Sequence, residues 1–267
     1  LRAALVAPAV AAQKLAVIRE VTDDRVLALS GLVERGEAAT RYNLALSNAR
    51  GAHQRPGDAQ SSVPDHVMIS LLDYGAGNVR SVRNAIRKLG FELTDIRRPE
   101  DILRAERLIF PGVGAFGAAM RRLHALGYVE PLRAYLAEGR PFLGICIGLQ
   151  CLFEGSEESP DVAGLGLIPG RIRRFDDTRL SVPHMGWNGI RPEQDCALLA
   201  DYAGEKLYFV HSYHAERTAE NDDWVLATCD YGTPFVAAVQ RGQVAAVQFH
   251  PEKSGAAGLR LLERFLT

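Results

Sequence analysis

A cysteine flanked by glycines is the first feature of this sequence that could carry out chemistry. Cys146 stands in the run Gly144-Ile-Cys-Ile-Gly148, which follows an apolar segment and precedes a helical stretch. This is the pattern of a nucleophile elbow with cysteine in place of serine, where a sharp turn requires small neighbours. A helix N-terminus also favours the thiolate form of a cysteine. Cys146 is therefore the candidate nucleophile, and a small buried hydrophobic residue at a tight turn is the alternative.

A histidine and a carboxylate that could serve this nucleophile follow another apolar run. The segment Ala245-Ala-Val-Gln-Phe249 has the pattern of a strand and stops at His250-Pro-Glu252. A thiol nucleophile needs an adjacent base, and the base needs a third group that fixes its tautomer. In an extended chain the side chains of His250 and Glu252 point to the same side. We predict that His250 is the base, that Glu252 orients it, and that both lie with Cys146 at the carboxyl edge of one sheet.

A glycine-rich loop supplies a candidate oxyanion hole. The apolar residues 107–110 run into Pro111-Gly-Val-Gly114, whose backbone N–H groups could stabilise a developing negative charge. The same stretch fits a dinucleotide fingerprint that ends at Gly117. That fingerprint should follow the first strand of a βαβ unit, and an acidic residue should stand at the end of the next strand. Glu138 is near the right distance but lies in a helical stretch, so phosphate binding is the weaker interpretation.

The elements that must position these residues alternate between strand and helix from about Val67 onwards. Apolar runs separated by helices of roughly 10–15 residues are typical of a parallel sheet covered on both faces. We therefore predict an α/β fold of three layers, with a mostly parallel central sheet flanked by helices. The predicted strands are 67–72, 91–96, 107–110, 141–145, 166–175, 207–212, 224–229, 235–240 and 244–249. The predicted helices are 78–89, 115–126, 128–138, 149–153 and 255–266.

Residues 1–65 differ in composition from the rest, and we predict a leader and linker there, before a catalytic domain that spans residues 66–267. Ala45–Pro64 is polar and rich in small residues, and Leu15–Leu32 could form an amphipathic helix. This segment is either a plastid or mitochondrial transit region or a mis-assigned or separate extension. The first predicts a plastid location and the second predicts the cytoplasm. Arginines favour a transit region, and acidic residues oppose it. The chain starts at Leu1 and stops at Thr267 directly after a predicted helix, so we expect both ends to be cuts in a longer polypeptide.

Composition argues against several classes of function. The formal net charge of −1 argues against sequence-independent binding of nucleic acid. No uncharged apolar run approaches the length of a membrane span. The four cysteines form no CxxC pair and have no histidines at ligand spacing, which argues against a disulfide scaffold and a structural zinc site. We expect no nucleic acid, no membrane, no metal and no cofactor.

These motifs together resemble those of the class I, or triad, glutamine amidotransferases. The match rests on Gly144-Ile-Cys-Ile-Gly-Leu-Gln150 and His250-Pro-Glu252. Further stretches resemble the glutaminases of imidazole glycerol phosphate synthases in histidine biosynthesis, especially the plant and fungal form that is fused to a cyclase. They are Asp73-Tyr-Gly-Ala-Gly-Asn78, Pro111-Gly-Val-Gly114, Pro183-His-Met-Gly-Trp-Asn188, Tyr208-Phe-Val-His-Ser-Tyr213 and Gln248-Phe-His-Pro-Glu-Lys-Ser254. The resemblance covers about residues 67–267 and implies a flavodoxin-like fold.

The resemblance implies a role for each matching residue. Cys146 would attack the side-chain amide of glutamine, His250 would pass a proton to the departing ammonia, and Glu252 would orient His250. The residues implied for the oxyanion hole are Gly112, Val113, Gly114 and Ile147. Those implied for glutamine binding are Gln150, Glu158, Ser212 and Tyr213. Those implied to face the partner are Asn78, Trp187, Tyr208 and Lys253.

The implied activity is hydrolysis of glutamine to glutamate and ammonia. The ammonia would pass to a β/α-barrel cyclase, present as a subunit or fused downstream of Thr267, which makes imidazole glycerol phosphate and AICAR. We expect little glutaminase activity from this chain alone, because completion of the oxyanion loop would be coupled to partner binding.

Other interpretations remain open on sequence alone. The triad motif also fits the amidotransferase domain of another synthase, a catalytically silent docking domain, and a different cysteine hydrolase of similar fold. Core packing is the alternative for Trp187 and Tyr208, and a solvated helix face is the alternative for Gln150 and Glu158. Structural roles are predicted for three further histidines: His184, His211 and His214.

Overall fold

The computed structural model describes residues 68–75 and 78–267. The predicted leader, with its amphipathic helix and linker, lies outside these residues, so the division of the chain at residue 65 remains a prediction. Within the described ranges, no helix is both long enough and apolar enough to cross a bilayer.

The described chain alternates strands and helices as far as Cys146 and then runs mainly through strands. In chain order the strands are β1 (Ile69–Leu71), β2 (Leu93–Asp95), β3 (Arg107–Gly112), β4 (Phe142–Cys146), β5 (Phe153–Ser156), β6 (Ser159–Ala163), β7 (Ile168–Arg174), β8 (His184–Asn188), β9 (Arg191–Pro192), β10 (Leu207–His211), β11 (Tyr213–Ala215), β12 (Val225–Tyr231), β13 (Thr233–Arg241) and β14 (Val244–Val247). The helices are α1 (Val79–Lys88), α2 (Pro99–Arg104), α3 (Phe116–Ala125), α4 (Val129–Ala137), α5 (Ile147–Gln150) and α6 (Gly255–Leu266).

Five parallel strands form the half of the main sheet that carries the candidate nucleophile. Their spatial order is β2-β1-β3-β4-β14, which is the order of a flavodoxin-like sheet. Parallel strands require long crossover connections, and α1 to α4 supply those between β1, β2, β3 and β4, whereas the chain from β4 to β14 runs mainly through strands. Because the carboxyl ends of β3, β4 and β14 meet at one edge, residues that follow these strands are brought together there.

Helices cover both faces of this parallel half and give it three layers. Side chains of β3 alternate between the faces because successive residues of a strand point in opposite directions. Leu108 and Phe110 belong to the apolar cluster that includes α3 and α4, whereas Ile109 belongs to the cluster with α1 and α6. All three side chains are fully buried, and each contributes roughly 1.5–3 kcal/mol to stability by leaving water.

The second half of the sheet is mostly antiparallel. It continues from β14 through β13, β11, β7, β5 and β6, while β12 pairs with β13 and β9 pairs with β12. A separate pair, β8 and β10, lies outside this sheet and is antiparallel. The predicted α/β fold, with a mostly parallel central sheet flanked by helices, is confirmed, and the antiparallel extension belongs to the region after Cys146.

Several local features differ from the sequence predictions. Helix α2 was not predicted, because six residues are too short to show a helical period. Its start is fixed instead by Pro99 and by Asp101, whose carboxylate accepts backbone N–H groups from Arg97 and Arg98 at 3.1 and 3.0 Å. The helix predicted at 149–153 is α5, which ends at Gln150, and Phe153 begins a strand. The strands β5, β6, β8, β9 and β11 also had no predicted counterpart.

Candidate active site

Cys146 occupies a backbone conformation that few residues other than glycine adopt. It ends β4 and precedes α5, with φ 56° and ψ −103°. A Cβ atom on Gly148 would lie 2.0 Å from the carbonyl oxygen of Phe110, and one on Gly144 would lie 2.8 Å from the backbone of Gly148. Both positions require glycine, because the obstructing atoms belong to backbone in the core of the sheet. The turn therefore has the geometry of the predicted elbow.

His250 and Glu252 lie directly after β14 and contact each other. Nδ1 of His250 is 2.8 Å from Oε1 of Glu252, and both side chains are buried. The sequence predicted this proximity from an extended chain, but the residues Pro251–Lys253 form a 3-10 turn that brings the carboxylate back to the ring. The backbone N–H of His250 donates to the carbonyl of Tyr208 at 2.8 Å, which ties the turn to β10.

The same carboxylate oxygen has a second partner. Nδ2 of Asn78, at the N-cap of α1, donates to Oε1 of Glu252 at 2.5 Å. Asn78 has φ 74° and, like Cys146, a positive φ that is uncommon outside glycine. Two donors on one oxygen hold Glu252 in place, and within the described residues its Oε2 has no hydrogen-bond partner.

Neighbouring groups reverse the effect of burial on His250. Burial lowers the pKa of this imidazole, but the neighbouring Cys146 and the bonded carboxylate of Glu252 favour the charged ring, outweigh burial and raise the pKa to about 9. Nε2 has no hydrogen-bond partner in the part of the chain that the structure describes. His250 can therefore carry a proton near neutral pH beside the sulfur and release it to a group that enters the site.

The glycine-rich loop lies beside the cysteine, as predicted. Gly112, at the end of β3, pairs in register with Cys146 at the end of β4. Val113 and Gly114 follow it and line the same cavity as the sulfur, and Gly114 has φ 111°. Ile147 begins α5, so its N–H is one of the unpaired donors at the start of a helix. The loop and Ile147 thus flank Cys146 with backbone.

A cavity of about 280 Å³ opens onto Cys146 and brings together most of the predicted site. Its walls are Val113, Gly114, Cys146, Ile147, Gln150, Glu158, Pro183, Val210, His211, Ser212 and Tyr213. All four residues predicted to bind glutamine are among them. His250 and Glu252 are not on this wall and instead lie buried after β14, where Cys146 affects the pKa of His250. The volume suits a small metabolite.

Two of the cavity residues are also anchored to the fold. Nε2 of Gln150 donates to the carbonyl of Tyr213 and to Oε1 of Gln248, both at 3.0 Å. The amide oxygen of Gln150 is therefore the atom left for a ligand. Oε2 of Glu158 accepts the backbone N–H of Phe116 at 2.6 Å, at the start of α3, where a negative charge is favoured. The predicted alternative of a solvated helix face is wrong for Gln150, which is 3% exposed.

Three of the residues predicted to face a partner form an aromatic and basic surface outside the triad. Trp187 on β8 is 52% exposed, and its ring centroid lies 5.8 Å from that of Tyr208 on β10. Nζ of Lys253 lies 5.5 Å from the centroid of Tyr208. Met185, also on β8, is 63% exposed. We call Met185, Trp187, Tyr208 and Lys253 the aromatic surface. Asn78 lies apart from it, at Glu252.

Three buried histidines lie together in an aromatic cluster, and one of them, His211, also lines the cavity. Nδ1 of His184 is 3.1 Å from Nε2 of His211, whose Nδ1 donates to the carbonyl of Tyr213 at 2.8 Å. His214 stacks on Phe175 with ring centroids 4.1 Å apart. Burial lowers the pKa of His184 to about 4, of His211 to about 3 and of His214 to about 4. These geometries agree with the predicted structural roles, because the rings stay neutral.

Sequence reasoning gave no role to two residues at the site. Gln248 is fully buried and its Nε2 lies 3.6 Å from Sγ of Cys146. Tyr74 is buried with its hydroxyl against Gly112, where a Cβ atom would come within 2.3 Å of that oxygen. The position of Gln248 two residues before His250 was a signal, because alternate strand residues share a face. Within the described ranges, no group of three or more potential metal ligands comes together.

Comparison with known families agrees with this geometry. The family model described as glutamine amidotransferase class-I matches residues 70–267. The chain belongs to the class-I glutamine amidotransferase family. A class-I amidotransferase is what the elbow and the His250-Pro-Glu252 turn predicted, so that resemblance is confirmed.

Two relatives show which kind of amidotransferase this chain resembles. It is 55% identical over 207 residues to an Arabidopsis thaliana protein named imidazole glycerol phosphate synthase hisHF, chloroplastic, covering 77% of the chain but 35% of that protein. It is 47% identical over 199 residues to imidazole glycerol phosphate synthase subunit HisH of Desulfitobacterium hafniense, covering 74% of the chain and 93% of the subunit. The chain thus spans about a third of the plant relative. The predicted similarity to these glutaminases is confirmed.

A solved structure shares the fold. It is described as the crystal structure of a glutamine amidotransferase, with a TM-score of 0.58 and 23% sequence identity, and the match covers 74% of this amidotransferase and 97% of that chain. At this identity the likeness concerns the fold alone, and it agrees with the predicted flavodoxin-like amidotransferase architecture.

Proposed function

We propose that this chain hydrolyses glutamine to glutamate and ammonia and passes the ammonia to a cyclase that makes imidazole glycerol phosphate and AICAR. The observation that carries the proposal is the triad arrangement at one sheet edge. Cys146 opens onto a cavity of about 280 Å³, and His250 bonds to Glu252 beside it. The names of the HisH and hisHF relatives support the choice of synthase.

In the proposed mechanism the thiol proton of Cys146 moves to Nε2 of His250. The sulfur then forms a bond to the side-chain carbonyl carbon of glutamine, and the carbonyl oxygen takes the negative charge. When the C–N bond breaks, His250 donates its proton to the departing nitrogen and ammonia leaves. Water, deprotonated by His250, then attacks the thioester carbon, which releases glutamate and restores the thiol. Glu252 keeps the ring oriented throughout.

Backbone donors would stabilise the oxyanion. The N–H of Ile147 is available at the start of α5, and the loop of Gly112, Val113 and Gly114 lies beside it. Removal of one such donor typically lowers kcat by about 10²–10³-fold. Because the loop is rich in glycine, partner binding could change its donors at low energetic cost, so we expect weak glutaminase activity from the chain alone.

Glutamine recognition is proposed to rest on two pairs of residues that line the cavity. Gln150 presents its amide oxygen, and Glu158 presents a carboxylate, so both suit the α-ammonium group. Ser212 lies in the break between β10 and β11, Tyr213 begins β11, and both offer hydroxyl and backbone groups for the α-carboxylate. Because both the α-ammonium group and the α-carboxylate would be bound, the cavity would select a free amino acid over a peptide.

The proposed partner is a cyclase that docks on the aromatic surface. Exposed tryptophan and methionine side chains are enriched in protein interfaces and are uncommon on free surfaces. The cyclase would be a separate subunit or a further part of the same polypeptide, as the name hisHF indicates for the plant relative. A plastid location is proposed on the name of that relative, which includes the word chloroplastic.

Ammonia release measured with and without a cyclase partner tests the function. Wild-type chain is expected to release ammonia from glutamine when the cyclase is present, and Cys146→Ala is expected to release none. A glutamine-analogue alkylator should label the Cys146 peptide, as detected by mass spectrometry. Absence of release by wild type in the complex would support a silent docking domain. If added glutamine does not reduce the labelling of Cys146 by the alkylator, the chain would be a different cysteine hydrolase.

A further inference from the structure

Gln248 is a buried amide next to the candidate nucleophile. It follows β14, two residues before His250, and its side chain is 0% exposed. Nε2 lies 3.6 Å from Sγ of Cys146, within hydrogen-bond distance for sulfur. Its backbone N–H donates to the carbonyl of Ala237 at 2.8 Å, so the main chain is fixed to β13. The residue therefore reaches the sulfur from a rigid strand end.

The orientation of this amide is determined by its neighbours. A backbone carbonyl only accepts hydrogen bonds, so the Gln150 atom next to the Tyr213 carbonyl must be the nitrogen. That same nitrogen lies 3.0 Å from the other end of the Gln248 amide, which must therefore be the oxygen. The nitrogen of Gln248 consequently faces Cys146. No choice of amide flip is left open.

We propose that Gln248 is a further catalytic residue, which stabilises the Cys146 thiolate by donating an amide hydrogen to the sulfur, and that Gln150 positions it. This proposal rests on the proposed glutaminase function and names another residue for that reaction. Gln150 then has two tasks, since its nitrogen orients Gln248 while its oxygen faces the ligand.

The chemistry of sulfur makes the contact depend on charge. A neutral thiol is a weak acceptor, and a buried N–H group that is poorly paired is unfavourable. A thiolate accepts a charge-assisted hydrogen bond, which is roughly twice as strong as a neutral one. The amide therefore favours transfer of the thiol proton to Nε2 of His250. It acts before the C–S bond forms, and the hydrogen bond weakens as negative charge leaves sulfur for the carbonyl oxygen of glutamine.

The test measures the sulfur directly and needs no partner. The rate at which iodoacetamide alkylates Cys146 in the full chain is followed between pH 5 and pH 10 by mass spectrometry of the Cys146 peptide. Gln248→Leu removes the donor at similar volume, and its alkylation midpoint should move up by about one pH unit. Gln248→Glu puts a carboxylate beside the sulfur and should move it further in the same direction. Gln240→Leu, on β13, is the matched control and should leave the midpoint unchanged.

Turnover in the complex with the cyclase gives a second measurement. We expect Gln248→Leu to lower kcat about tenfold near neutral pH with little change in KM for glutamine, and a rise in pH should recover part of the loss. An unchanged alkylation midpoint in Gln248→Leu overturns the proposal. If that variant does not fold, an unshifted midpoint in the isosteric Gln248→Glu has the same consequence. The alkylation midpoint could shift in Gln248→Leu while the wild-type chain shows no glutaminase activity. That result would support the contact between Gln248 and the thiolate and would reject only the proposed function.

Discussion

The four buried histidines of the described chain lie in two regions with opposite electrostatics. His184, His211 and His214 lie among aromatic rings, and burial lowers the pKa of each to about 3 or 4. Burial also acts on His250, but the pKa of that ring is raised to about 9. The difference is the presence of Glu252 and Cys146 beside His250, because each favours the charged imidazolium.

This contrast shows what makes a histidine reactive in this fold. A buried ring without a carboxylate stays neutral and behaves as a packing and hydrogen-bonding group. A buried ring with a fixed carboxylate and a thiol beside it holds a proton where a reaction can use it. The three histidines of the aromatic cluster are thus an internal reference for His250.

Removal of the Glu252 carboxylate should lower the pKa of His250 towards the values of the other three buried histidines. In Glu252→Gln we expect the pKa of His250 to fall well below 9, because only Cys146 then opposes the effect of burial. Glutaminase kcat in the cyclase complex should fall by on the order of 10³–10⁴-fold, as for other orienting carboxylates. NMR titration of His250 and an ammonia assay measure the two effects. Glu263→Gln, an exposed change on α6, is the control, and a His250 pKa that stays near 9 would contradict the comparison.

Asn78 should have a smaller effect, because it acts through Glu252. Asn78→Gly keeps the left-handed backbone accessible and removes only the donor to Oε1. Loss of a hydrogen bond to a charged group should lower kcat about tenfold, with KM for glutamine little changed. Asn78→Asp is the informative partner variant, because a second carboxylate beside Glu252 should lower kcat further. Equal activity in wild type and Asn78→Gly would show that His250 alone holds the carboxylate.

The two regions should also give opposite slopes of stability with pH. The unfolded chain binds protons at His184, His211 and His214 below about pH 6.5, whereas the folded rings stay neutral to about pH 3–4. The free energy of unfolding should therefore fall as pH drops below 6.5, by about 1 kcal/mol or more per pH unit. The contribution of His250 is complete below about pH 6.5 and is lost as pH rises through about 9. Urea unfolding from pH 4 to pH 10 measures both limbs, and a flat curve between pH 7 and pH 5 would contradict the first.

His214→Phe should produce the smallest change and isolates one member of the aromatic cluster. Nδ1 of His214 is buried without a hydrogen-bond partner among the described residues, and the ring already stacks on Phe175. Phenylalanine should keep the stacking and raise the free energy of unfolding at pH 5 by about 1 kcal/mol relative to wild type. Glutaminase activity should not change, because His214 does not line the cavity. A loss of activity would mean that the cluster does more than pack.

The parts of the site that depend on backbone geometry were predictable from sequence. The glycines around Cys146 and the short interval between His250 and Glu252 are compatible with few local structures. Parallel strands then bring such residues to one edge of a sheet. The roles implied for the remaining residues came from resemblance, and their chemistry stays a prediction.

Contacts between distant segments were not predictable in this way. Gln248 meets Gln150 across almost a hundred residues of chain, and no local pattern encodes that pairing. The turn at Pro251 was taken for extended chain because its period is too short to detect. Helix α2 and the strand at Phe153 were missed for the same reason, since short elements are selected by tertiary packing more than by propensity.

The positive φ of Cys146 has a consequence for how this domain would change if it were released from catalysis. A non-glycine residue in such a conformation typically destabilises the fold by about 1–3 kcal/mol. Glycine has no Cβ and relieves that strain, so Cys146→Gly should unfold at a higher temperature than the active protein. Selection for folding alone would thus drive this position towards glycine. A cysteine here is retained against the stability of the domain, and a duplicated copy that no longer releases ammonia is expected to lose it early.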